Sequence, residues 1–252
     1  MPRKEDSVPA TLRAVAVLEA LAAAERPVAL AELTTLVRLP KPTLYRMLAM
    51  LDSAGLVMRE PGARRYAPGP RLAMLGRNVM LNAGLRAERR VILARLVDEI
   101  GETCNFTILD GDEIVYLDRV EAHWPLRLML APGSHVPLHC TASGKLFLAL
   151  MPAPRRRRLL AAAPLKRLTR NTITDKDRLL HELERIRAEK IGTDNEEFLA
   201  GLTAVAVPVP DARQRILATV AVHAPTSRMS IAKARTHVPA LRRAAAKLAG
   251  TL

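Results

Sequence analysis

Three places in the sequence gather side chains that could do chemistry. Residues 139–145, "HCTASGK", set an imidazole, a thiol, two hydroxyls and an ammonium around the start of an expected helix. Thr141 or Ser143 suits its N-cap, and free N–H groups at such a start favour a carboxylate. The same residues could equally form an ordinary cap buried under a sheet. Asp194, Glu196 and Glu197 could share protons or hold a cation, although a solvated turn before "LAGLTAVAVPV" is the commoner use of such a cluster. Lys41, Pro42, Thr43, Tyr45 and Arg46, followed by Arg59, Arg64 and Arg65, supply cations and donors suited to phosphates and base edges.

Several chemistries are disfavoured by spacing. A phosphate-binding loop needs a glycine where His139 stands and Ser or Thr where Leu146 stands, so nucleotide hydrolysis is not supported. Cys140 and His139, if extended, point to opposite faces and cannot share a proton, which leaves Cys140 as a packed or pocket-lining thiol. The chain's two cysteines, Cys104 and Cys140, make neither a disulfide framework nor a zinc spacing. No metal and no cofactor is expected. Trp124, the one tryptophan, lies on a polar loop between strands and either plugs a gap or covers a pocket.

The elements that must position these residues can be read from periodicity. Leu12, Val15, Leu18 and Leu21 predict a helix over 11–24, and Leu30, Leu33 and Val37 a second over 29–36. A third runs from Pro42 to Ser53 with Leu44, Leu48 and Leu51 inward. Pro42 suits a first helical position and leaves Lys41 outside, and Gly55 supplies the left-handed stop. Two short extended runs around Pro61-Gly62 then read as a hairpin carrying Arg59, Arg64 and Arg65. Helix, helix, helix and hairpin make a core of about seventy residues, near the lower limit for independent folding. The third helix can offer Thr43, Tyr45 and Arg46 to a DNA groove while its leucine face is held from behind, and the hairpin gives a second contact surface.

Residues 71–100 read as a connecting helix with a break near 82–84. Its stripe Leu72, Leu75 and Val79 suits contact with another subunit, whereas the roles of Arg77, Arg86, Arg89 and Arg90 stay open. From residue 102 the period changes to two. Strands meet at Asp110-Gly111-Asp112, a strand and loop follow Trp124, and helices are expected in "TASGKLFLALMP" and "TDKDRLLHELERIRAEKIG". A further hairpin and a final helix kinked at Pro239 close the chain. This part is α+β with an antiparallel sheet. "PAPRRRR", residues 152–158, reads as a solvated helix start.

The whole chain has 252 residues, 49% of them hydrophobic, which suits two globular domains. No apolar run of about eighteen or more residues is present and the N-terminus lacks an apolar signal core, so a cytoplasmic location without membrane contact is expected. A formal charge of +14 points to a polyanionic partner. Residues 1–90 carry 15 Lys/Arg against 8 Asp/Glu, and the other 162 carry 24 against 17. Positive charge is therefore denser in the first third, where the candidate DNA contacts lie.

"LAELTTLVRLPKPTLYRMLAMLDSAGLVMRE" followed by "RRYAPGPRLAMLG" resembles the winged helix-turn-helix domain of the IclR family of transcriptional regulators. "GETCNFTILDGDEIVYLDRV", "PGSHVPLHCTASGKLFLA" and "TDNEEFLAGLTAVAVPV" resemble the same family's effector-binding domain. The resemblance implies a winged helix-turn-helix over 8–70, a linker helix over 71–90 and a GAF-like effector domain over 91–252. It also implies assembly into a homodimer or homotetramer, operator DNA as partner, and a small-molecule effector, expected to be an organic acid. It places Ala142, Ser143, Gly144, Asp194, Leu202, Ala204, Ala221, His223 and Ser227 at the effector pocket, beside which Trp124, read from its loop position alone, is the candidate cover. Ala204 and Ala221 stand where some relatives have cysteine or serine, which makes the pocket less polar there. His223 could pair with an acidic effector. Two rival readings are an enzyme acting on a small acid through Cys140 or the Asp194/Glu197 carboxylates, and a ligand-independent architectural DNA binder.

Overall fold

A computed structural model of the chain describes residues 8–24, 26–60, 64–80, 83–124, 130–162, 164–211 and 215–251. The chain divides between Val79 and Met80 into two compact units. The first contains α1 (Ala10–Ala23), β1 (Val28–Ala29), α2 (Leu30–Val37), α3 (Lys41–Ser53), β2 (Val57–Arg59) and β3 (Arg65–Pro68). Its core joins Val17, Leu21, Leu33, Leu44, Met47, Leu48 and Tyr66. The inward face of α1 differs from the expected one: Val17 and Leu21 are buried, with Ala14 and Leu18 packed beside them, while Leu12 and Val15 are exposed. Steps of three alone drift around a helix of 3.6 residues per turn, whereas 14, 17, 18 and 21 keep to one stripe.

The start of α3 also needs correction. Pro40 is the N-cap, Lys41 the first helical residue and Pro42 the second. A residue before proline resists helical geometry without being barred from it, and Pro40, extended at φ −58° and ψ 135°, sets the entry instead. At the other end the Leu56 N–H reaches the Leu51 carbonyl and the Gly55 N–H that of Asp52, both at 2.9 Å. Gly55 has φ +71°, as the expected stop requires. β2 and β3 pair antiparallel as a wing, with Arg59 opposite Tyr66. The expected turn at Pro61-Gly62 lies outside the described residues. β1 adds a third strand against β3.

α4 (Pro70–Met80) ends, and α5 (Ala83–Ile100) begins, around the expected interruption; residues 81–82 are outside the described set. The second unit is built on a six-stranded antiparallel sheet of β4 (Thr103–Asp110), β5 (Glu113–Val120), β6 (His135–Pro137), β7 (Gly192–Asn195), β8 (Leu202–Pro210) and β9 (Ile216–Pro225), in the order β6-β5-β4-β9-β8-β7. α5 and α10 (Val238–Leu248) pack on one face; α6 (Ala142–Leu150) and α8 (Lys176–Glu189) cover the other. This is the α+β, GAF-like arrangement. α7 (Ala153–Ala162) carries the arginine run, and α9 (Ile231–Thr236) precedes α10. The expected kink at Pro239 is a break into those two helices, with Pro239 the second residue of α10.

A bulge in β5 turns its later residues. Phe106 pairs with Asp118 but Thr107 pairs with Tyr116, so Leu117 is the extra residue. Tyr116 therefore belongs to the α6 side, while Asp118 meets Arg86 (3.0 Å) and Arg89 (2.6 Å) of α5. Arg89 is fully buried, lies 5.5 Å from the Phe106 ring centre and donates to the Met80 carbonyl. Two of the arginines whose role was open thus fasten α5 to its own sheet.

Candidate functional site

In the first unit, Leu44, Met47, Leu48 and Leu51 hold α3 against the core. Lys41, Pro42, Tyr45 and Arg46 are exposed, and Thr43 is half-buried. No side chain caps the helix, because Pro40 has none to offer. Its first N–H groups thus add to the donors on this face. Arg59 and Arg64 are exposed on the wing, Arg64 with φ +47°. Arg65 is half-buried and donates to the Pro27 carbonyl at 3.4 Å, which ties the wing to the segment before β1. Arg38, which the sequence reading passed over, is exposed in the left-handed position that closes α2. The turn between two helices of this motif was the signal for it.

In the second unit, Thr141 caps α6: its hydroxyl accepts the Gly144 N–H (3.1 Å) and donates to the Pro137 carbonyl (2.8 Å). The next two N–H groups, of Ala142 and Ser143, have no partner within a helix by construction. α6 is buried along almost its whole length, because it sits between the sheet and α8. That depth needs glycines. A Cβ on Gly192 would lie 2.1 Å from the Ala142 carbonyl oxygen, and one on Gly144 2.3 Å from that of Leu138. Ala142 and Ser143 thereby meet the sheet around a narrow cavity of about 20 Å³, room for little more than one water.

Asn105, Ile114, Tyr116, Val136, Thr141, Asp194, Phe198, Leu202, Ala204, Ala221 and His223 complete the wall. Antiparallel register explains the convergence: Asp194 pairs with Ala204, Ala204 with His223, and Asn105 with Ala221. Hydroxyls link helix to sheet, with Thr219 donating to Ser143 at 2.8 Å and lying 2.7 Å from Thr107. Asp194 is not on a solvated turn. It is 2% exposed, and its Oδ1 accepts the N–H groups of Glu197 (2.7 Å) and Phe198 (3.3 Å). Burial, with the charge of Glu197, pushes its carboxyl up to about 7 against those two N–H groups and Lys145. Burial and Arg119 push His223 down to about 3, so its ring is neutral. It could meet an acid as a hydrogen-bond donor and not as a cation.

Lys145 explains how Glu197 can be buried as well. Its ammonium, 0% exposed, reaches Glu197 at 2.5 Å and Glu182 of α8 at 3.1 Å. Such a pair costs desolvation, and losing either partner would strand a charge in the interior. Lys145 thus faces carboxylates, unlike the lysine of a phosphate-binding loop. The Cys140 thiol is pushed up to about 12 by burial and by Asp194 and Glu197, which leaves it a poor nucleophile. His139 is held by the Lys166 carbonyl at 2.9 Å, and the two residues lie in a bend, not a strand.

Of the expected pocket residues, Ala142, Ser143, Asp194, Leu202, Ala204, Ala221 and His223 line the cavity and three do not. Trp124 donates to the Gly101 carbonyl (3.0 Å) with Arg228 4.9 Å from its ring centre, so it is fastened elsewhere. Ser227 is exposed in the turn after β9, and Gly144 serves the packing of α6. Asn105 and Tyr116 were missed. The available signal was Thr103, Asn105 and Thr107, polar at every second position of an otherwise apolar strand. Among the described residues, no cluster of His, Cys, Asp or Glu could hold a metal, and no helix is long and apolar enough to cross a membrane.

Comparison with known proteins agrees with both units. Residues 10–61 match the IclR helix-turn-helix domain, and residues 78–249 match the bacterial transcriptional regulator IclR C-terminal domain. Over 242 residues the chain is 48% identical to the probable transcriptional regulator SauR of Cupriavidus necator, with 96% of each protein covered. It is 31% identical over 252 residues to the regulator KdgR of Escherichia coli, covering 100% of this chain and 95% of that one. The crystal structure of the Thermotoga maritima IclR aligns with a TM-score of 0.64 at 28% identity, over 96% of this chain and 98% of that one. With its DNA-binding helix-turn-helix and its C-terminal effector domain, this chain belongs to the IclR family of transcriptional regulators.

Proposed function

We propose that the chain is a one-component regulator in the cytoplasm, a homo-oligomer whose heads bind paired operator half-sites and whose operator affinity changes when a small organic acid enters the cavity beside α6. Residues 8–70 serve as the DNA-binding domain, 71–90 as the linker and 91–252 as the effector domain. Thr43, Tyr45 and Arg46 meet base edges in the major groove; Lys41, Arg59 and Arg64 hold phosphates, and Arg65 steadies the wing. The acid's carboxylate lies against the N–H groups of Ala142 and Ser143. The observation that carries this reading is the cavity itself, a buried wall of small, apolar and polar side chains that ends at the first N–H groups of α6, in a chain whose other unit exposes a basic helix. The protonated Cys140 thiol and the Lys145–Glu197 pair favour a binding role over catalysis.

The test is Arg46→Ala in the full chain, assayed on an operator selected from random DNA and on unrelated duplex. A base contact predicts about 1 to 3 kcal/mol lost on the operator and less on unrelated DNA. Equal losses would reassign Arg46 to phosphate, and no loss on either would remove α3 from the interface.

A further inference from the structure

Asn105 of β4 and His223 of β9 stand together on the cavity wall, the amide nitrogen 3.0 Å from ring Nδ1. They are 3% and 5% exposed. Their mutual hydrogen bond leaves two atoms without a partner, one of them an acceptor and the other a donor. With the amide donating, Asn105 Oδ1 and His223 Nε2 have no partner among the described residues. Turning the amide over and moving the ring proton swaps these roles and leaves the same inventory. The neutral ring cannot escape the requirement by charging. Buried polar atoms are nearly always paired, and leaving two unpaired on one wall is costly.

The chemistry of a ligand that answers both is narrow. A carboxylate or a carbonyl only accepts, an ammonium only donates, and an alkyl group does neither. A hydroxyl does both. The start of α6 already suits a carboxylate, and a cavity of about 20 Å³, which must widen to admit any acid, favours the shortest carbon skeletons. We infer that the effector is a short-chain hydroxy acid, its carboxylate at the start of α6 and its hydroxyl read by the Asn105–His223 pair. This rests on the proposal that the cavity is the effector site.

Matched pairs test it: glycolate against acetate, lactate against propionate, and 3-hydroxybutyrate against butyrate. Each is titrated into the full chain by calorimetry, with operator affinity as a second readout. The hydroxy acid should bind about tenfold tighter or more in at least one pair, the loss expected when buried polar atoms stay unpaired. Asn105→Leu should erase that preference, so that the two acids of a pair no longer differ. His223→Gln, which keeps a donor and an acceptor, should retain part of it. Operator binding by each variant shows that it is folded, and the pairs on the unaltered chain decide the matter even if a variant is not. Equal affinity within every pair overturns the hydroxyl reading and leaves the effector site standing. If no acid of either kind binds, both fall. A preference that survives Asn105→Leu means that the hydroxyl is read elsewhere, and it overturns the assignment.

Discussion

The two faces of the six-stranded sheet are both covered by helices, yet they are built differently. Towards α5 and α10 the strands present Cys104, Phe106, Leu117, Val205, Val207, Val220 and Val222, all fully buried and apolar. Towards α6 the same strands present Asn105, Thr107, Thr219 and His223 beside Ala204, Ala206 and Ala221. Neighbours in one strand therefore do opposite work. A large apolar side chain fills space and stabilises by burial, whereas a small or polar one under a helix leaves room and unpaired atoms. Both faces carry an apolar core, but only the second, where Ile114, Tyr116 and Val136 pack with α6, interrupts it with the small and polar side chains of a binding wall.

The sharpest way to break this contrast is Phe106→Ala. Removing a ring packed against α5 and Arg89 should cost about 3 to 5 kcal/mol in urea unfolding. A change near zero would mean that this face is not a core.

A smaller effect should appear with pH, on the other face. His223 is pushed down to about 3 from 6.5, so the stability it contributes is complete above pH 6.5 and is lost as pH falls towards 3. Asp194 is pushed up to about 7 from 3.8, so its contribution is complete below about pH 4 and is lost as pH rises through 7. Between roughly pH 4 and 6.5 the two slopes oppose, each at most about 1.4 kcal/mol per pH unit. Asp194→Asn should unmask a stability that rises with pH, and His223→Gln one that falls. Chemical unfolding at several pH values reads both, and slopes of the same sign in the two variants would contradict the assignment.

Much of the head is legible in sequence because its signals are local. Pro40, Pro42 and Gly55 bound α3, and its leucines fix the inward face within thirteen residues. β1 is two residues long and shows no alternation to read. The cavity depends on distant partners. Asp194, Glu196 and Glu197 look like a solvated turn until Lys145, fifty-two residues earlier, neutralises Glu197, and until Asp194 turns its Oδ1 to the following N–H groups. Likewise, nothing near Arg89 announces Asp118, which only a bulge in β5 turns towards α5. Ser227, which the resemblance placed at the pocket, and Trp124, left open between a plug and a cover, do not reach the wall. The family resemblance placed Ala204, Ala221 and His223 on the cavity, but only the paired strands show Asn105 beside His223.

Ligand in the α6 cavity should alter DNA binding. The most direct test is a titration of short-chain acids into the complex of the full chain with its selected operator, followed by fluorescence anisotropy, for the unaltered chain and for Ala204→Leu. The leucine should occupy the cavity at a stability cost of about 1 to 3 kcal/mol. At least one acid should shift operator affinity for the unaltered chain, and Ala204→Leu should bind operator but no longer respond. An identical response in both chains, or no response to any acid, would contradict this.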